Sequence, residues 1–513
     1  MSMGERLRRL NGMDDGGDLI LLGVDIGTTH VKACAYGEDG GFLGASRLST
    51  PTGRLKGGGA EYDARAVEHA VFEVIRQVAE RFGPPRAIGI ASMAESGFLV
   101  DGSGEPLAPA IAWFDGRTAL QAARWKKRLD PLELFSRTGL HLSPRCTACK
   151  LEWHRENTPE AWSKASAWLG MAEYLVFRMT GEKSTDPSLA SRTMLFGIRR
   201  GEWDEKLCAL ARVPTELLPS VHEAGAGPGR LLPSVAAGMP VPPDIPVVVC
   251  GHDHVCGAFG AGVVEPGEVA DSMGTAEGAL ITLREPLLDD TVYDQGLSMG
   301  RHVLPERFYL GTGLPVAGGA VGWLLRLLEG NEEDLVRWTE EAATLAPGEG
   351  GVFLPLVRGQ DHGVTFYALG QESRPAHLLR AMLEGLTLEI DAALKRAAQA
   401  VGVELSSLTV LGGGARNALW RQLKADVSGK PVRVVSEPEC VARGAAMLAG
   451  IGAGVFEDYD SVPGPEYEPH THRPAGDQAA YERLYSEVLR PLRERLGSLG
   501  LEQQDAGRAE DAV

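Results

Sequence analysis

Basic charge is what this 513-residue sequence most lacks: 51 lysines and arginines face 69 aspartates and glutamates, a formal net charge of -18. Nucleic acid and anionic membrane surfaces both need a basic patch, and no lysine or arginine run supplies one, so neither is expected as a partner. Long apolar runs are missing too. No stretch reaches the roughly 18 to 20 residues of a membrane span, and MSMGERLRRLNGMDDGGDL has no hydrophobic signal core behind its basic residues, so a cytoplasmic protein is expected. Cysteine is sparse, with seven residues scattered along the chain. The close pair Cys146 and Cys149, in CTAC, has no second pair to complete a zinc site, and the thiols read as structural or incidental. A chain of this length exceeds one compact core, so two domains with a cleft between them are the default.

The stretch Leu21–Lys32, LLGVDIGTTHVK, combines a buried strand, one acid and a tight Gly-Thr-Thr turn. Val24 and Ile26 alternate with Gly23 and Asp25, and an apolar alternation resumes at Val31 and Ala33, the pattern of two strands joined by a short loop. An unpaired buried carboxylate costs several kcal/mol, so Asp25 is expected to face a cleft, a metal shell or a partner. Gly27 permits close backbone approach, and Thr28 and Thr29 add hydroxyl donors beside main-chain N–H groups, the equipment of an anion-binding nest. An ordinary hairpin with a Gly-Thr turn is the alternative on this stretch alone.

From Ala64 the apolar residues Val67, Ala70, Val71, Val74, Ile75 and Val78 recur at three- and four-residue steps, which predicts an amphipathic helix, and Ala87–Ser92 reads as a short buried strand after it. Helix followed by strand means an α/β sheet whose ligands gather at strand ends. In AIAWFDGR, Ala110–Arg117, a tryptophan beside an acid and a base suits a polyhydroxylated ligand packed by its C–H face on Trp113; a core Trp113 beside an Asp115–Arg117 surface pair is the alternative. Residues 130–240 read as mostly helical with proline-rich connections. The apolar strand Ile245–Cys250 then runs into GHDHVCGAFGAG, which sets Asp253 at a strand end, as a general base or as a helix N-cap. His252 and His254 flank it with no visible third and fourth ligand for a metal.

An internal echo follows. Glu268–Thr282 repeats strand, Gly-Thr turn and strand, with Gly274 and Thr275 in the places of Gly27 and Thr28. Duplicated units imply two similar domains, each offering a Gly-Thr loop to one cleft, and two such loops can hold one polyphosphate. After PVAGGAVGWLLRLL (Pro315–Leu328) and a long helix from about Pro375 to Ala400, SLTVLGGGARNALWRQLKADVSG reads as strand, triple glycine and helix, a layout that brings backbone close to a flat or anionic ligand. A small-residue helix, Cys440–Gly450, comes last.

LGVDIGTTHVKA, AWFDGR, the KLEW of Lys150–Trp153, GHDH, SMGTAE, the MLEGLTLEI of Met382–Ile390 and GGGARNALWRQLKADV occur in the order and spacing of the FGGY carbohydrate kinases, relatives of glycerol kinase, xylulokinase and L-fuculokinase. The chain resembles that family from about Asp18 to about Ser498. The resemblance implies an α/β fold of two ribonuclease H-like domains of the actin and hexokinase superfamily facing a central cleft: residues 18–263 for the sugar and 264–498 mainly for ATP, between a mobile leader at 1–17 and a mobile tail at 499–513. It implies ATP and magnesium as cofactors and closure of the cleft during turnover. Partners are then the sugar and ATP, with a homodimer left open.

Carried over by resemblance, Asp253 matches the base that takes the proton of the attacking sugar hydroxyl, and Asp25 the acid beside magnesium, through water, and the transferring phosphoryl group. Gly27, Thr28, Thr29 and Lys32 match the first phosphate loop, and Gly274 with Thr275 the second. Gly319 corresponds to a glycine near the ribose and phosphates, and Gly413, Gly414 and Asn417 to the adenine and ribose side. Trp113 and Asp115 match substrate-side positions, with His254 beside the base. After the Ala87–Ser92 strand, glycerol kinase carries Arg-Glu and xylulokinases Met-His, whereas this chain has Ala94 and Glu95, with Glu95 expected to take a substrate hydroxyl and a solvated loop acid as the alternative. GHDH is similar to the GHDT of the fuculokinase branch rather than the GDQ of glycerol kinase. The expectation is an ATP-dependent kinase of a five- or six-carbon ketose or deoxyketose. A kinase of a linear polyol such as glycerol or erythritol is the first alternative, and an ATP- and sugar-sensing protein without phosphoryl transfer the second, though the short leader is not expected to hold a DNA-binding domain.

Overall fold

Apolar alternation on either side of one tight turn builds the first hairpin, and burial fixes its register. The computed structural model describes residues 19–358, 361–437, 439–469 and 471–498, so the expected leader at 1–17 and tail at 499–513 lie outside the described residues. Strand β1 (Ile20–Ile26) is buried along its whole length and pairs antiparallel with β2 (His30–Gly37), setting Asp25 opposite Lys32. β3 (Phe42–Ser49) extends the sheet beyond β2, while β4 (Ala87–Ser92) lies parallel to β1 and β5 (Val247–His252) parallel to β4. The order is β5-β4-β1-β2-β3. The helix expected from Ala64 is α1 (Ala64–Phe82), capped by Asp63, whose side chain accepts from Ala66 N, and it lays its buried stripe of valines on β2 and β3. At the far edge, α2 (Asp253–Gly260) starts where β5 ends.

The second half repeats the plan. β6 (Glu268–Met273) and β7 (Glu277–Leu283) form the second hairpin, β8 (Ser298–Arg301) and β9 (Phe308–Leu314) continue it antiparallel, and β10 (Ser407–Leu411) and β11 (Val432–Val434) lie parallel on the other side of β6. The order β8-β9-β7-β6-β10-β11 is the first sheet's order with one strand, β8, added at the edge. The repeat read from Gly-Thr turns is therefore a repeat of topology. Helix α4 (Pro375–Val401) packs with this sheet, and α3 (Gly318–Leu327) and α5 (Ala418–Ser428) pack on α4. No helix among the described residues is long and apolar enough to cross a membrane.

Residue 264 separates the two sheets, but packing crosses that line in both directions. Helix α6 (Cys440–Gly452), late in the chain, lies on β1, β4 and β5 of the first sheet and on α2. It gets there because the sheet is bare beneath it: a Cβ on Gly23 would stand 1.8 Å from Ala442 O, and one on Gly89 2.0 Å from Ala445 O. In the other direction Phe135, Phe196 and Ile198 join the core of the second sheet, and Met299 N donates to Gly139 O at 2.8 Å.

A methyl group at Gly23 has no room unless α6 lifts off the sheet. Gly23→Ala is expected to destabilise the fold by at least about 2 kcal/mol, whereas Gly102→Ala, in open space, should stay within about 0.5 kcal/mol of the parent. Denaturant unfolding of both variants checks this.

Candidate active site

Two recesses of one cleft meet where Asp253, His254, Ser272 and Gly278 border both. Thr28, Glu95 and Trp113 wall the first recess, with Gly274 of the second turn opposite them. Asp25, Gly27 and Lys32 wall the second, together with Gly412 and Glu439. Within the first recess Trp113 Nε1 donates to Thr28 Oγ1 at 2.9 Å.

The second recess is acidic. Burial, and after it the negative charge of Asp253, lifts the Asp25 carboxyl to about 7; Lys32 works against the rise and Glu439 adds to it. Lys32 Nζ lies 2.7 Å from Glu439 Oε2 but 4.0 Å from Asp25 Oδ2, so Glu439 is its main partner. Asp253 is the first residue of α2, not its cap: His252 holds the N-cap position. Asp253 Oδ1 accepts from His254 N at 2.7 Å and lies 3.2 Å from His252 Nε2. Burial keeps the His252 ring well below its usual titration range, hence neutral.

Hard oxygen donors around a like-charged pair suit a small dication. No group of three or more His, Cys, Asp or Glu able to cage a metal occurs among the described residues. That arrangement suits magnesium, which is held by one or two carboxylates and completes its shell with water and phosphate oxygens.

The cleft and its paired turns agree with what the chain resembles in known proteins. Residues 20–260 match the N-terminal domain of the FGGY family of carbohydrate kinases, and residues 269–453 match its C-terminal domain. The chain belongs to the FGGY family of carbohydrate kinases. It is 29% identical to the L-fuculokinase of Escherichia coli K12 over 446 residues, 85% of this chain and 93% of that protein. It is 32% identical to the glycerol kinase of Citrifermentans bemidjiense over 466 residues, 85% of this chain and 91% of that protein. The fold superposes on the xylulose kinase of Rhodospirillum rubrum with a TM-score of 0.83 at 24% identity, covering 94% of this chain and 99% of that one. The two-domain actin- and hexokinase-like fold expected from the sequence is the fold observed, and members of this family use ATP.

In this FGGY kinase several residues named from the sequence stand away from the two recesses. Asp115 is buried and committed elsewhere: Arg117 lies 2.7 Å from its Oδ2, which also accepts from Ala60 N at 2.7 Å. The Asp-Arg pair read from the sequence is thus real, with its acid buried and its arginine partly exposed. Thr29 is exposed, and its carbonyl accepts from Thr50 N. Thr275 accepts through its carbonyl from Ala317 and Gly319 N–H groups, so the second turn is buttoned to the start of α3. Gly413 and Gly414 sit in a 3₁₀ turn after β10, and Asn417 caps α5 by accepting from Trp420 N at 3.0 Å.

Other site residues carried no signal in the motifs. Glu439 immediately precedes the small-residue helix. Ser272 occupies in the second hairpin the place of Asp25 in the first, which superposing the two Gly-Thr turns reveals. The second hairpin is braced from behind by Lys424 of α5, fully buried, in direct contact with Glu277 and 2.6 Å from Asp271 Oδ2. Burial and the charge of Asp271 push the Glu277 carboxyl up to about 8.

The raised Asp25 fixes the sign of a pH effect. Its folded value of about 7 exceeds the unfolded value of about 4, so its stabilising contribution is present at low pH and is lost as pH rises through 7. In EDTA and without nucleotide, the Asp25 contribution is expected to fall away between about pH 4 and 7 and to level off above that, and Asp25→Asn to lose measurably less stability over that range. Melting curves of the two proteins decide it; parallel pH profiles would reject the assignment.

Proposed function

We propose that this kinase transfers the γ-phosphoryl group of ATP directly to a hydroxyl of a small ketose, a pentulose or deoxyhexulose, with Asp253 as general base. What carries the reading is that Asp253 borders both recesses. A sugar held beside Trp113 and Glu95 and a phosphate held beside Gly27 and Lys32 would meet at its carboxylate. With Oδ1 occupied by the His254 N–H, Oδ2 is the oxygen left to take the hydroxyl proton. As that proton leaves, the acceptor oxygen bonds to phosphorus and the bond from phosphorus to the ADP oxygen breaks, in line. The Gly27 N–H closes the first turn on His30 O, so the turns at Thr28 and Gly274 would bring their own backbone N–H groups to the phosphates, while Trp113 packs the sugar and helps exclude water. Magnesium would be held by Asp25 through water and would neutralise phosphate charge.

The ketose assignment is supported by Ala94 in the place of the arginine of glycerol kinase and by the GHDH sequence. The Glu95 that this chain shares with glycerol kinase favours a second reading, a polyol kinase. The need for ATP supports a cytoplasmic location.

ADP release from magnesium-ATP with a panel of ketoses, deoxyketoses and polyols tests the proposal. Selective turnover of a ketose is expected, selective turnover of a polyol would establish the second reading, and hydrolysis indifferent to any acceptor would remove both. Asp253→Asn is expected to lower kcat by about 10²- to 10⁴-fold with folding intact. Near-normal turnover in that variant would refute the base.

A further inference from the structure

Glu95 is held in place unusually firmly for a residue on a loop. Its backbone lies in the left-handed region, with φ of 58°, which costs a non-glycine residue on the order of 1 kcal/mol unless its surroundings impose it. Lys150, from the helix Thr147–Asn157 that carries KLEW, donates from Nζ to Glu95 O at 2.7 Å. That carbonyl is the one hydrogen-bond partner of the Lys150 ammonium among the described residues. The lysine is 4% exposed, and burial pulls it down to about 8. A lysine buried for one backbone carbonyl is costly, so the turn it fixes matters. The Glu95 side chain is fixed independently: Arg192 Nε donates to Oε1 at 2.8 Å, and a terminal nitrogen of the same guanidinium stands 2.8 Å from the same oxygen. Oε2 has no protein donor among the described residues, and Glu95 borders both the sugar-side recess and a smaller one behind it.

Arg192 is itself indexed to the base. It follows the short helix Pro187–Ser191, where Ser188 Oγ accepts from His252 N at 2.9 Å. One helix thus sets the spacing between Glu95 and the strand end that presents Asp253.

Resting on the sugar-side reading above, we propose that Lys150 and Arg192 are positioning residues that lock Glu95 so that Oε2 accepts a hydrogen bond from one acceptor hydroxyl. The carboxylate of an Arg-paired glutamate accepts and does not donate. The group facing it must be a donor, so the site selects neutral sugars with a hydroxyl there and turns away sugar acids that would bring a second carboxylate.

The test uses the full-length kinase and the best acceptor found in the ADP-release panel. Lys150→Met is expected to raise the acceptor KM by at least about tenfold, with the KM for ATP changed less than about twofold. In a Glu95→Gly background, where glycine accepts the positive φ and the carboxylate is gone, the same substitution should add less than about twofold. Lys150→Arg should recover part of the loss. A folded Lys150→Met with unchanged acceptor KM, or a full tenfold effect in the Glu95→Gly background, would overturn the inference. If Lys150→Met does not fold, Arg192→Gln is read in the same way, and an unchanged acceptor KM again overturns it. An aldonic acid of the same chain length turned over as well as the neutral sugar would overturn the hydroxyl readout. Wild-type protein that releases no acceptor-dependent ADP would overturn the sugar-side reading and this inference with it, whereas the variant results bear on this inference alone.

Discussion

The contact on which the rest of the structure depends is main chain against main chain: α6 lying on β1 and β4 over Gly23 and Gly89. Because nothing larger than hydrogen separates helix from sheet, the start of α6 cannot drift. The two acids that lead into it bond the first hairpin directly, Glu439 to Lys32 at 2.7 Å and Glu437 to the Tyr36 hydroxyl at 2.8 Å. The same helix packs on α2, whose first residue is Asp253. Hairpin, α6 and α2 therefore form one body, and that body carries both Asp25 and Asp253. Burial and the charge of Asp253 together raise Asp25. Strain of that kind is stored by a rigid scaffold and relieved by a ligand.

The second hairpin is anchored by other means. Its flanks carry two buried acids, Asp271 and Glu277, sharing one buried lysine from α5. Removing one partner of a buried pair is far worse than never having had it, because the remaining charge stays desolvated. The trio acts as a three-way tie between β6, β7 and α5, while the carbonyls of Gly274 and Thr275 are taken by the N–H groups that open α3. The two Gly-Thr turns thus descend from one pattern but have separated in role. The first has an acid at its base, and the second has Ser272 there. A fourth carboxylate beside Asp25, Asp253 and Glu439 would raise the electrostatic cost of the cleft further, which is a physical reason for the serine.

Local pattern made the elements legible from the sequence. The α1 stripe, the Ala87–Ser92 strand, both hairpins and the helix after the triple glycine each follow from short-range periodicity or turn chemistry, and each is found where those rules put it. The echo at Gly274 even carried the sheet order, because a repeated hairpin brings its topology with it. Residues whose role depends on long-range packing were not legible. Glu439 reaches the cleft only because Gly23 and Gly89, far earlier in the chain, let α6 settle on the first sheet. Arg192 meets Glu95 across 97 positions, and no periodicity links them. Asp115 shows the converse: its spacing from Trp113 is that of a ligand-side acid, yet Arg117 and the Ala60 N–H already occupy its oxygens. Spacing says which residues can share a face; it does not say which partner arrives first.

The charge of the second recess also constrains the order of events in the proposed reaction. Asp25, Asp253 and Glu439 border it against one lysine, and Glu439 already takes most of that lysine. A bare polyphosphate entering this space would meet net negative charge inside a partly desolvated cleft, where Coulomb repulsion is several-fold stronger than in water. Backbone N–H groups from the Gly-Thr turns supply partial charges only, and they cannot reverse that sign. In the proposed reaction the nucleotide would enter with a cation, which Asp25 would hold through water and which would offset this charge. The sugar-side recess has its acid paired to Arg192 and needs no such cation. Acceptor binding should then depend little on the cation, while phosphate binding depends on it strongly, and the two meet at Asp253.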